Sequence, residues 1–196
     1  MNVQAMVELT KMKFPDKGTP EILHRIGWAQ REFAGETRCL IKEYDFTPST
    51  SPFSDRYEIE EVEIDTIKLV RFLDSSGTVL SKMDNDLNYY ITNRYLYICD
   101  WDGQAITAYP TALVTIRATI VYLPAEITSI SESLEVEERF HRGILARVFA
   151  DFYAAMDNFN AAMYYKGEYK DAVREGKKYA NSEGSSVTRE SVTGIL

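Results

Sequence analysis

The spacing of apolar and polar positions divides the chain into a helical opening, a long alternating block and a helical close. Residues 2–13 predict a short helix, with Val3, Met6, Val7 and Met12 on one side. The stretch Phe14-Pro15-Asp16-Lys17-Gly18 reads as a turn. Thr19-Pro20-Glu21 is a helix start: Thr19 caps free backbone N–H groups, Pro20 loses nothing at the first helical position, and Glu21 suits the positive end of the dipole. Ile22, Ile26, Ala29, Phe33, Thr37, Leu40 and Ile41 then recur at helical spacing, which predicts one helix over about residues 20–43.

A Pro/Ser/Thr linker spans Thr47 to Pro52, and after it the period falls to two. Tyr57 and Ile59 alternate, and Val62 and Ile64 alternate one residue out of step, as a bulge near Glu60-Glu61 would allow. A second strand covers Ile67–Phe72. Tyr89–Thr92 and Tyr95–Cys99 flank Asn93-Arg94 and predict a tight hairpin. Asp100–Gly103 is a turn. The clearest strand is Val114–Tyr122, where Val114, Ile116, Ala118, Ile120 and Tyr122 alternate with Thr115, Arg117, Thr119 and Val121; Pro124 ends it.

Helical spacing returns over about 134–156, capped from Ser129–Ser133, with His141, Leu145, Val148 and Phe152 on one side and Phe140, Ile144 and Phe149 beside them. Asp157-Asn158 breaks it. A second helix over about 158–181 places Phe159, Ala162, Met163, Tyr169 and Val173 inward, and so short a link predicts antiparallel packing. From Ser182 to Leu196 the chain has too few apolar groups to offset the entropy of ordering. The expected fold class is therefore α+β. One N-terminal and two C-terminal helices form a bundle (1–50 plus 124–181). An antiparallel β-sandwich or small barrel (51–123) is inserted in it, and a flexible tail (182–196) follows.

A chain of 196 residues can bury roughly 70% of its unfolded surface and needs neither disulfide nor metal to fold. The formal net charge is −8. No basic cluster stands against it, since Arg174, Lys177 and Lys178 are diluted by Glu168, Asp171 and Glu175. Tight binding of nucleic acid or of an anionic membrane is therefore not expected. Cys39 and Cys99 have no ligand-spaced neighbours and read as buried free thiols. No apolar run approaches the roughly 18 residues of a membrane span, and no signal peptide is visible, so a soluble product of the cytoplasm is expected. The 13 tyrosines suit strands and wet interfaces.

Candidate chemistry is sparse. There are only two histidines, His24 and His141, no Gly-x-Ser-x-Gly elbow and no phosphate-binding glycine loop, so a hydrolytic triad is not expected. Both histidines lie in Glu-x-x-His, as Glu21–His24 and Glu138–His141, the spacing that places two metal ligands on adjacent turns of one helix face. A di-metal helical-bundle enzyme is the reading those four residues would support. Against it, both pairs lie in a first helical turn, where an acid favours the dipole, and His24 falls with Trp28 and Arg31 away from the apolar line. Asp84, Asp86 and Asn88 mimic the start of a calcium loop, but Tyr89 and Tyr95 stand where Gly and Glu are required. Glu58, Glu60, Glu61, Glu63 and Asp65 read as a solvated strand face that also protects an edge. No cofactor is expected.

The C-terminal half carries a resemblance. Val121-Tyr122-Leu123-Pro124-Ala125-Glu126-Ile127-Thr128 is a strand closing on proline. Glu138-Arg139-Phe140-His141-Arg142-Gly143-Ile144-Leu145 opens a helix, and Ala150–Met156 is rich in alanine and aromatics. After the break at Asp157–Asn160, Ala161-Ala162-Met163-Tyr164-Tyr165 and Glu168-Tyr169 lead a helix ending in Lys177-Lys178-Tyr179. With Gly27-Trp28 and the strand from Glu60 to Ile67, this resembles the head–tail adaptor (connector) proteins of tailed bacteriophages. The resemblance implies a structural, non-enzymatic virion protein, made in the bacterial cytoplasm and placed in the neck. It implies a homo-oligomeric ring, usually a dodecamer, docked on the portal protein, receiving a tail or neck protein and passing viral DNA. In this reading the tail docks on the portal, with Val187, Val192, Ile195 and Leu196 as anchors. A neck or tail completion protein that meets the tail is one alternative. A β-sandwich module that binds glycan or peptide on Trp101 and the tyrosines is another.

Overall fold

A computed structural model describes residues 1–59, 63–81, 86–92 and 94–182, and the backbone of Val187–Val192. The chain is an α+β protein whose sheets are antiparallel apart from one parallel edge strand, and no sheet among the described residues closes into a barrel. It forms two compact units: a helical unit of Met1–Leu40 and Tyr122–Ser186, and a sheet unit of Ile41–Val121 and Val187–Leu196.

In the helical unit, α1 (Val3–Lys13) is capped by Asn2, whose side chain accepts from the Ala5 N–H at 2.9 Å. Its buried residues are Val3, Met6, Val7 and Thr10; Met12, expected on that face, is 81% exposed. Helix α2 (Thr19–Thr37) starts one residue earlier than expected, with Gly18 rather than Thr19 at the cap. Ile22, Ile26, Ala29, Phe33 and Thr37 are buried as their spacing predicts. The helix stops six residues short of the expected 43. Arg38 turns left-handed at φ 55°, and its N–H closes on the Ala34 carbonyl at 2.7 Å.

The approach to the next helix, residues 124–137, is irregular, with a turn closed by the Glu132 N–H on the Ser129 carbonyl at 3.3 Å. Gln30 is buried, and its Oε1 accepts from the Glu135 N–H at 2.8 Å, while Glu135 accepts from the Ala125 N–H at 2.9 Å. These bonds keep residues from 134 onward out of the expected helix. A single 3-10 turn at Glu138–Phe140 leads into α3 (His141–Ala155). The break falls as read: Asp157 has φ 57°, and Asn158 caps α4 (Phe159–Asn181) through the Ala161 N–H at 3.2 Å. Ala162, Tyr169, Val173, Gly176 and Ala180 form the inner stripe of α4. Two residues expected there point outward instead: Phe159 is 64% and Met163 69% exposed.

Glycines set how closely these elements approach. A Cβ on Gly143 would lie 2.3 Å from the Cβ of Ala172, so α3 and α4 touch backbone to side chain there. A Cβ on Gly176 would meet Thr37 at 2.6 Å and Phe33 at 2.8 Å, and one on Gly27 would meet the Ile127 backbone at 3.1 Å.

The sheet unit begins with β1 (Ile41–Phe46), whose first three residues were expected to end a helix. Its residues follow the strand period, with Lys42, Tyr44 and Phe46 buried and Glu43 and Asp45 only half-buried between them. Short strands β2 (Ser49–Thr50) and β3 (Phe53–Ser54) pair as a hairpin, and β4 (Arg56–Glu58) follows. Then come β5 (Glu63–Leu73), β6 (Leu87–Thr92), β7 (Tyr95–Asp100) and β8 (Thr115–Leu123). The hairpin predicted across Asn93-Arg94 is present, with Thr92 opposite Tyr95 and Leu87 opposite Asp100. Strand β4 pairs on the other side of β7, giving the order β4-β7-β6. The second sheet has the order β5-β8-β1-β9, where β9 is Val187–Val192. The segment expected as a flexible tail is thus a strand over those six residues. The bulge expected near Glu60-Glu61 lies outside the described residues. An Arg117–Asp45 fork, both N–O distances 2.6 Å, ties β8 to β1.

Candidate functional site

The four metal candidates occupy two separate settings. Glu21 and His24 lie on the outer side of the first turns of α2, and Glu21 sits 3.9 Å from Lys17. His24 lines a groove of about 300 Å³ with Leu23, Trp28, Arg31, Glu126 and Ile127. His141 is buried, and both its ring nitrogens face backbone carbonyls: Nε2 lies 2.7 Å from the Val136 oxygen, and Nδ1 faces that of Met1. Glu138 is exposed and pairs with the N-terminal ammonium, which holds its carboxyl below the usual range. Among the described residues, no group of three or more His, Cys, Asp or Glu side chains is placed to hold a metal ion. Of the calcium-like triplet, Asp84 lies outside the described residues, and the Asn88 side-chain oxygen accepts from the Tyr89 N–H at 2.9 Å. Glu63 and Asp65 are exposed on β5.

The polar centre of the helical unit is Arg147, a residue the sequence reading passed over. Its side chain is 11% exposed. Nε donates to Glu32 at 2.7 Å, Nη1 pairs with Asp151, and the guanidinium lies 4.6 Å from the Trp28 ring centre. Arg25 reaches Asp151 at 3.5 Å, and Tyr169 donates to Glu36 at 3.0 Å. Burial works against the Arg147 charge, but the hydrogen bonds and acids of Glu32 and Asp151 outweigh it and raise its pKa. Burial, with Glu32 and Glu36 nearby, pushes the Tyr169 phenol up as well. A fixed, satisfied ion network of this kind holds helices in register. The thiols of Cys39 and Cys99 are also raised by burial and are poor nucleophiles.

Two surfaces remain. At the α3–α4 turn, Met156, Phe159, Met163 and Tyr164 are all more than half exposed. The signal for this patch was present in the spacing 156, 159, 163, a second apolar line beside the 162, 169, 173 stripe. On the three-stranded sheet, Tyr90 stacks on Tyr97 at 4.9 Å with planes 2° apart, and Arg56 lies 4.7 Å from the Tyr95 ring. Trp101 is exposed in the turn after β7. Of the four tail anchors, Val187 and Val192 are the ends of β9, while Ile195 and Leu196 lie outside the described residues.

Among the described residues, no helix is long and apolar enough to cross a membrane. No family model matches the chain, and no curated protein matches it.

Proposed function

We propose that the chain is a head–tail adaptor of a tailed bacteriophage, a structural subunit that joins the portal vertex of the capsid to the tail. One observation carries the reading. The helical segments that resemble the adaptor family come together as one helical unit, whereas the resembling strand that runs to Ile67 falls in the sheet unit. Within that unit Gly27 of α2 abuts Ile127 in the link after the strand, and Gly143 of α3 abuts Ala172 of α4. Two further observations agree with it. The exposed Met156, Phe159, Met163 and Tyr164 give the unit an apolar surface suited to burial against other subunits. The net charge of −8 suits a passage that must not grip DNA phosphates. In this reading the subunit works without a cofactor, in a ring of about a dozen copies closed by heterologous contacts, located in the virion neck.

The test is electron microscopy of the purified protein mixed with portal particles of the same virus. The expected result is an added ring of density beneath the portal. Binding to isolated tails instead would favour a neck or tail completion protein, and binding to neither would overturn the proposal.

A further inference from the structure

Strand β9 differs from its neighbours in two respects. It runs parallel to β1, Ile41 opposite Val187 through Phe46 opposite Val192, whereas the β1–β8, β2–β3, β4–β7 and β6–β7 ladders are antiparallel. It also has no chain neighbour within its own unit before it. The chain reaches β9 from α4 of the helical unit through residues 183–186. The order β5-β8-β1-β9 makes it an edge strand. Its backbone ladder to β1 joins it to the sheet.

Such a ladder does not distinguish which copy supplies the strand. The donors and acceptors of Ile41–Phe46 are satisfied equally by Val187–Val192 of the same chain or of another. Left empty, β1 would present unpaired N–H and C=O groups beside the buried Tyr44 and Phe46, an edge open to indiscriminate pairing. Occupancy is thus required, while the supplier is free. Where copies are held side by side, a neighbour's strand is present at an effective concentration on the order of millimolar. The ladder given up within one chain is regained in the next, so exchange changes the connectivity without losing hydrogen bonds.

We propose that β1 is a strand-acceptor edge, and that in the assembled protein its occupant is Val187–Val192 of a neighbouring copy, paired in the same parallel register. The presence of neighbours rests on the adaptor reading above. Each copy gives one strand and receives one, a head-to-tail arrangement that closes by rotation.

The register places Glu43 opposite Arg189. Paired strands lie about 4.8 Å apart, within the roughly 4.4–6.8 Å between Cα atoms that a disulfide spans. Full-length Glu43→Cys and Arg189→Cys proteins are made separately, mixed at high concentration and oxidised. They are then read by non-reducing electrophoresis, with light scattering on the same samples; Cys39 and Cys99 are buried and stay silent. A covalent dimer in the mixture, well beyond that formed by either variant alone, is expected, and the double variant should give a ladder of covalent multimers. A sample that assembles, yet yields only internally cross-linked monomer from the double variant and no dimer from the mixture, overturns the exchange and leaves the ring intact. A protein monomeric at every concentration overturns the exchange too, and the portal experiment then judges the adaptor reading separately. If melting shows that either substitution disturbs folding, Lys42→Cys with Thr188→Cys, one position along, gives the same readout.

Discussion

Adding one methyl group at Gly143 should loosen the helical unit. The new Cβ would fall 2.3 Å from the Ala172 Cβ and 3.8 Å from its Cα. Non-bonded carbons rest about 3.5–4.0 Å apart, so α3 and α4 would have to separate by roughly 1.2–1.7 Å. Overpacking a well-filled interface costs about 1–3 kcal/mol, and a gap this short belongs at the upper end. Helix propensity acts the other way, since Gly→Ala inside a helix gains about 1 kcal/mol. The net expectation for Gly143→Ala is a loss of about 2 kcal/mol. Ala172→Gly alone should lose about 1 kcal/mol through propensity. In the double variant the clashing atom is gone and the two propensity changes cancel, so its stability should lie within about 0.5 kcal/mol of the parent. The cycle then shows a coupling of about 3 kcal/mol between the two sites, as expected for side chains in direct contact. Urea unfolding followed by Trp28 fluorescence, in a Trp101→Phe background, measures the helical unit alone, because these are the two tryptophans of the chain. A Gly143→Ala protein as stable as its parent, or more stable by the roughly 1 kcal/mol that propensity alone predicts, would refute the reasoning. Additivity of the two single changes would do the same.

Three other perturbations separate packing from surface roles. Arg147→Ala strands Glu32 and Asp151 without their shared cation and removes the Trp28 contact; because Glu32 is partly exposed, the loss should sit near the low end of the roughly 3–5 kcal/mol for breaking a buried pair, read by the same unfolding curve. Phe159→Ser with Met163→Ser should shift stability by no more than about 0.5 kcal/mol, being surface changes, while lowering self-association in sedimentation; a protein that loses its helical signal would place those side chains in the core. Cys39 is buried and its thiol raised, so the neutral form is the one the fold favours. That contribution is fully present below the ordinary thiol range and is lost as pH rises through the raised value. Cys39→Ala should therefore flatten the loss of stability between pH 8 and 10 (about the range in which a free thiol ionises), and Ellman's reagent should titrate Cys39 only after unfolding.

How far the sequence could be read depends on where each signal resides. The line Ile22, Ile26, Ala29, Phe33, Thr37 was legible because one helix face is buried along its length. Leu40 and Ile41 continue that line, but Lys42, Tyr44 and Phe46 begin a strand period in the same few residues. The switch between them is Arg38 at φ 55°, a conformation usually announced by Gly or Asn, so residue type gave no warning. The start of α3 was misread for a different reason. Ser129–Ser133 offer caps locally, but the Gln30–Glu135 and Glu135–Ala125 bonds are tertiary and overrule them. On α4, both apolar lines are visible in the sequence, and only the packing of Gly143 on Ala172 decides that the 162, 169, 173 line faces inward. The Glu-x-x-His spacing was equally visible, yet the setting of His141 follows from the path of the chain at Val136, which no spacing encodes. The tail is the deepest case. Composition weighs side-chain burial, and by that measure Val187–Val192 has little reason to order. A ladder on β1 draws instead on main-chain donors and acceptors, which every non-proline residue carries. A segment can therefore be poor in core-forming side chains and still complete a sheet, provided that an edge as well formed as Ile41–Phe46 waits for it.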